Sequence, residues 1–236
     1  DPAVISRAGW GADERLRYDA SGAEIWPPEY SLPRAEILHH TVTATDPADP
    51  AAVVRAIYYY HAVTRGWGDV GYHYLVDHRG NVYEGRFGGE RAAGIAVGAH
   101  VLGYNVNTMG IAMLGTFTSA SSQPSPAAEA ALVELMARRA FRYGIRPHGA
   151  VSLAGRSFPV SVMGHRDVVP GYTVCPGDGL HGRLPALRDA VAWRLDQLQA
   201  AATPSPTRTQ RPLPTATRSA TRTATRVPPS ATPTNA

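Results

Sequence analysis

The chain has 236 residues, a formal charge of +4 and one cysteine, and all 23 of its basic residues are arginine. Five of those arginines follow residue 202, beyond the last acid, Asp196, so residues 1–202 hold 18 arginines against 19 acids. This division excludes a folded nucleic-acid-binding face in spite of an isoelectric point near 9.4, a single cysteine excludes an internal disulfide, and no apolar run is long enough for a transmembrane helix.

The start at Asp1-Pro2, with neither methionine nor a charged and apolar leader, reads as a mature or trimmed chain. Residues 35–42 form an apolar run ending in polar residues and predict a strand that carries His39 and His40. Asp49-Pro50 supplies an N-cap and first-turn pair for a helix that ends before Gly66, with Val53, Ile57, Tyr60 and Val63 at helical spacing. Residues 71–77 and 82–85, joined by His78-Arg79-Gly80-Asn81, read as a hairpin. Residues 108–114 predict a central strand because their apolar side chains run together. Pro126 to Tyr143 is a helix with Leu132, Leu135, Met136 and Ala140 on one side, arginines near its end and Gly144 as its stop. Residues 160–163 predict a short strand and residues 185–200 a last helix, with Leu187, Val191, Leu195 and Leu198 inward.

Together these elements predict an α/β fold, a single mixed central sheet flanked by about three helices, over residues 1–202. Residues 203–236 contain ten threonines, seven prolines and five arginines, with no acid and no aromatic residue. That composition predicts a disordered stalk or linker, either an inert spacer or a tether that contacts an anionic wall or membrane surface.

Cys175 lies in a turn-rich segment ten positions after His165. Alone it reads as a small buried hydrophobe. Beside His39 and His40 at the end of another strand, one thiolate and two imidazoles can fill three corners of a zinc site and leave the fourth open.

The segments Ile5-Ser6-Arg7-Ala8-Gly9-Trp10-Gly11-Ala12, Leu38-His39-His40-Thr41, Asp69-Val70-Gly71-Tyr72-His73-Tyr74, Val82-Tyr83-Glu84-Gly85-Arg86, Gly98-Ala99-His100, Gly103-Tyr104-Asn105, Met109-Gly110-Ile111-Ala112-Met113-Leu114-Gly115, Gly164-His165-Arg166-Asp167 and Cys175-Pro176-Gly177 follow one another in the order of a known family. The chain resembles the peptidoglycan recognition proteins and the phage T7 lysozyme type of N-acetylmuramoyl-L-alanine amidase over residues 5–198. The resemblance implies a zinc-dependent hydrolase, with one Zn²⁺ per chain, that cuts the amide between N-acetylmuramic acid and L-alanine in peptidoglycan or a muropeptide. It implies His39, His165 and Cys175 as metal ligands, with His40 on the opposite strand face, either lining the groove or packed beneath it.

The resemblance further implies Tyr72 as a catalytic phenol, whose reading from the residues alone is a half-buried strand aromatic. Thr173, two residues before Cys175, matches the threonine of the family's animal members, where the phage enzyme has a lysine that this chain lacks, and the resemblance implies a catalytic hydroxyl there that orients the substrate carbonyl or a water without adding charge. Asp167 either orients an imidazole or caps the local turn. Trp67, Arg86, His100, Tyr104 and Asn105 are expected in the substrate groove, with Arg86 as a bidentate carboxylate clamp.

Two departures from the family stand out. The interval from His165 to Cys175 is longer than in the family, and Phe87-Gly88-Gly89-Glu90-Arg91-Ala92-Ala93 replaces the usual Gly-Trp in a segment that walls the family's peptide groove. The expected protein is an exported, extracellular or envelope-associated monomer with no nucleic-acid partner. The alternatives are a peptidoglycan-binding module without catalysis and a zinc amidase for another amide.

Overall fold

The computed structural model describes residues 3–202, and the predicted stalk lies outside them. Six strands form the central sheet: β1 (Val4–Ile5), β2 (Ala35–His40), β3 (Tyr74–Val76), β4 (Val82–Glu84), β5 (Thr108–Met113) and β6 (Val162–Gly164), in the order β1-β4-β3-β5-β2-β6. Only the β3–β4 hairpin is antiparallel, and β3, β5, β2 and β6 run parallel to one another. Every residue of β2 and β5 is buried, which suits central parallel strands covered on both faces. The hairpin turn is held by Asp77, whose carboxylate accepts from the backbone of Arg79 and Asn81 and from the Tyr83 hydroxyl, while Gly80 takes φ 84°.

Three long helices cover the sheet: α1 (Pro50–Tyr59), α2 (Pro126–Tyr143) and α3 (Asp178–Ala202). Helix α2 matches its prediction because each signal is local. The Ser125 hydroxyl accepts from Ala128 N at 3.1 Å, proline sits in the first turn, and Gly144 closes the helix at φ 68°. Its inward face and α3 press Leu132, Leu135, Leu184 and Leu187 onto Leu38, Met109 and Ile111. Truncating any one of these leucines to alanine costs about 2–5 kcal/mol. On the other face, α1 and Trp10 cover Leu75, Tyr83, Ala112 and Leu114.

Three predicted elements differ. Helix α3 begins at Asp178, seven residues before the expected start, and Pro185 lies inside it. Its first turns pass so close to the neighbouring loop that a Cβ on Gly179 would stand 2.0 Å from Ser122 O, so glycine there serves packing and is no helix stop. Helix α1 continues into a π-helical turn, residues 60–64, which rotates the face. His61 and Ala62 turn inward, and Tyr60 and Val63, expected to face the core, are about half exposed. The predicted 160–163 strand is Val162–Gly164. Small sheets absent from the sequence reading also occur, a hairpin of Val151–Leu153 with Arg156–Phe158 and a three-stranded set of Tyr30–Ser31, Gly94–Ala96 and Glu90–Arg91.

Candidate metal centre

Parallel pairing brings the site together. Gly164 of β6 lies opposite Leu38 of β2, so His165 falls beside His39, with ring centroids 4.7 Å apart. Residues 169–174 then loop outward, with Tyr172 and Val174 exposed, and return Cys175 beneath β2, where its Sγ accepts from His40 N at 3.4 Å. Arg166 ties the loop's ends by donating from its backbone to Cys175 O at 2.8 Å.

Ligand atoms of His39, His165 and Cys175 all lie within 4.8 Å of one another. The His39 Nδ1 to Cys175 Sγ distance is 3.6 Å, and two such ligands on a tetrahedral zinc ion stand about 3.6 Å apart. His165 Nε2 is buried without a hydrogen-bond partner, an orphan that a metal would satisfy. Burial holds both imidazoles neutral, His39 well below the ordinary histidine range and His165 down to about 4. Burial also pushes the Cys175 thiol up to about 11, so a cation is needed to favour the thiolate. Two neutral imidazoles and one thiol suit Zn²⁺.

A cavity of about 520 Å³ opens above this cluster, walled by Val42, Ile57, Tyr60, His61, Tyr72 and Thr173. The Tyr72 ring lies 5.2 Å from His39, and burial raises its phenol above the usual range, so it stays a proton-bearing donor. The Thr173 hydroxyl accepts from Cys175 N at 3.1 Å. His40 is buried at the cavity's edge and its Nδ1 accepts from Phe117 N at 3.2 Å. His61 escaped the sequence reading, since only the π turn swings it inward. Its Nδ1 accepts from Gly71 N at 3.2 Å, which leaves Nε2 to carry the ring proton.

The other expected groove residues lie elsewhere. Arg86 is 1% exposed, paired with Asp69 at 2.8 Å and stacked 3.7 Å over Trp26. Its remaining donors bind Trp26 O and Val97 O, so the fork is occupied within the fold and is no carboxylate clamp. The 87–93 segment likewise leaves the cavity. Phe87 packs under Arg17, and Glu90 pairs with Arg139 and Arg142. His100 sits behind His39, with Nδ1 3.0 Å from His39 Nε2. Asn105 holds the backbone of His100 and Val101, and Tyr104 packs edge-on to Phe158. Trp67 stacks on His61 at 4.9 Å and reaches the cavity only through it. Asp167 caps the turn at Gly164 N (2.8 Å) and pairs with His181.

Fold and site together define an α/β domain with a His-His-Cys cluster beneath a cleft. A family model described as N-acetylmuramoyl-L-alanine amidase matches residues 29–178, more than half of the chain, which belongs to this family. The human N-acetylmuramoyl-L-alanine amidase is 35% identical over 185 residues, covering 76% of this chain and 27% of the human protein. The chain thus spans about a quarter of that relative's length. Among solved structures, bumblebee PGRP-SA is similar at 27% identity and a TM-score of 0.60, covering 78% of this chain and 95% of that one. Peptidoglycan recognition protein LE, solved in complex with tracheal cytotoxin, a monomeric diaminopimelic acid-type peptidoglycan, is similar at 27% identity and a TM-score of 0.59, covering 78% and 93%.

Proposed function

We propose that the chain is a zinc-dependent N-acetylmuramoyl-L-alanine amidase, with His39, His165 and Cys175 holding one Zn²⁺ and peptidoglycan or its muropeptides as substrate. The observation that carries this reading is the clustering of these three side chains within 4.8 Å at the floor of the cleft, with His165 Nε2 unpaired. A zinc ion bound there supplies Lewis acidity and lowers the pKa of water to about 7.

The chain's own residues supply the rest. The Tyr72 phenol donates to the oxygen that becomes negative as the amide carbonyl is attacked, a contribution of about 3 kcal/mol for a fixed donor. The Thr173 hydroxyl, its oxygen already accepting from Cys175 N, directs its proton toward the bound carbonyl. It orients without adding charge, so oxyanion stabilisation from a lysine is absent in this chain. His61 presents Nε2–H between Trp67 and Tyr72, a neutral donor for the peptide side of the substrate. Burial of the Tyr72 and His61 side chains lowers the local dielectric and strengthens these hydrogen bonds.

Polymerised peptidoglycan lies outside the cytoplasmic membrane, so the reading assigns the protein an exported or envelope-associated place, and no helix among the described residues is long and apolar enough to cross a membrane. Wall binding by the stalk falls outside the described residues. Incubation with purified sacculi tests the function: the wild type releases new alanine amino groups without new reducing sugar ends, and Cys175→Ser binds sacculi without releasing them. A wild type that pellets with sacculi and frees no alanine amine is a binding module instead.

A further inference from the structure

The Gly98-Ala99-His100 and Gly103-Tyr104-Asn105 segments, which the cleft does not use, converge behind the candidate ligand His39. Their hydrogen bonds have a direction that can be worked out from one end. Thr108, the first residue of β5, is fully buried. Its hydroxyl has one proton, and the nearest acceptor is Tyr104 O at 2.5 Å, with Asn105 O at 3.1 Å. A carbonyl oxygen only accepts, so the proton of Thr108 is committed there and the hydroxyl oxygen turns its lone pairs to His100 Nε2 at 3.2 Å.

That nitrogen must then carry the ring proton of His100, which leaves Nδ1 bare. At 3.0 Å it faces His39 Nε2, which must in turn be the protonated nitrogen of His39. The lone pair of His39 consequently lies on Nδ1, the atom 3.6 Å from Cys175 Sγ.

The placement of His100 is tightly determined. Asn105 Oδ1 accepts from His100 N and Val101 N, both at 2.8 Å. The ring lies so close over β5 that a Cβ on Gly110 would stand 2.4 Å from His100 Cγ, so only glycine admits it. The neighbouring His73 cannot compete for these protons, because its Nδ1 accepts from Gly110 N and its Nε2 donates to Ala96 O, each at 2.8 Å.

We propose that His100 and Thr108 are positioning residues, a hydrogen-bond relay that fixes His39 as its Nε2–H tautomer and so presets Nδ1 to bind the divalent metal. This rests on the zinc reading of His39, His165 and Cys175. Partners of this kind that orient a ligating histidine set metal affinity by about 10–100-fold.

The test uses the wild type, Thr108→Val and Thr108→Ser. Valine keeps the shape and removes the hydroxyl, and serine keeps the hydroxyl. Zinc affinity measured by competition with a chromophoric chelator is expected to fall about 10–100-fold in T108V and to stay within about threefold of wild type in T108S. Long-range ¹⁵N–¹H spectra of the metal-free wild type are expected to show His39 protonated at Nε2 alone, a readout that needs no variant to fold. A folded T108V that binds zinc as tightly as wild type, or a metal-free wild type protonated at His39 Nδ1, overturns the relay and leaves the zinc reading standing. A wild type that takes up no zinc overturns the metal reading itself, and the relay's role with it.

Discussion

Glu36 is the residue in this fold whose burial has the clearest measurable cost. It lies on β2, 0% exposed, opposite Met109 and Val162 and beneath the helices, and neither carboxylate oxygen has a hydrogen-bond partner. Burial drives its pKa well above the ordinary value, and the nearby Arg139 charge only partly opposes that. In the folded chain the carboxyl therefore stays protonated at a pH where the unfolded chain, with a pKa of about 4.3, has released its proton. The unfolded state binds fewer protons, so this group's contribution falls by about 1.4 kcal/mol per pH unit until the folded pKa is reached. Glu36→Gln removes that slope. Between pH 5 and 7 the variant should gain up to about 2.7 kcal/mol on the wild type, a shift of about 1 M in urea midpoint.

The comparison must be differential, because buried histidines act in the opposite sense. His61, His73 and His165 are pushed down to about 4, so their contribution is present above the unfolded pKa of about 6.5 and declines as the pH falls. Those groups are common to both proteins and cancel in the difference. Glu134, held down to about 2 by Arg194 and Arg138, titrates below this window. Urea unfolding at pH 5, 6 and 7 reads the result, and stability curves for wild type and E36Q that stay parallel across it would refute the reasoning.

Tyr72→Phe should lower kcat about 100-fold, with KM and zinc content little changed, in steady-state hydrolysis of a soluble muropeptide. Because His39 and His165 are already neutral and only the raised Cys175 thiol must ionise, zinc affinity should rise about tenfold per pH unit from 6 to 8, one proton per zinc. A steeper dependence in chelator competition would show a second proton released. Arg86→Ala should destabilise the fold by about 3 kcal/mol in urea unfolding, since it removes a partner of the buried Asp69, and it should leave the relative rates on muropeptides differing at the third stem residue unaltered.

Local signals carried much of this fold. Capping at Ser125 and Gly144, and the Asp77 turn, act through neighbours in sequence, so α2 and the β3–β4 hairpin could be read directly. The three candidate ligands could be named because their motifs stand in the family's order and parallel pairing then sets His165 beside His39. What failed depended on distant partners. Pro185 resembles a helix start, yet the turns before it are stabilised by packing against residues 117–122. Arg86 and His100 have side chains suited to a groove, and their burial is decided by Asp69 and Trp26 in one case and by Thr108 and Gly110 in the other. His61 faces the cleft only because a π turn adds a residue to one helical turn, and its composition carries no mark of that.

Zinc add-back to stripped protein, with alanine amino groups released from sacculi as the readout, tests the zinc-dependent amidase most directly. The stripped chain is expected to release none, with full recovery at one equivalent of zinc per chain and no recovery in Cys175→Ser. Release that survives stripping, or that zinc fails to restore in a folded wild type, would contradict it.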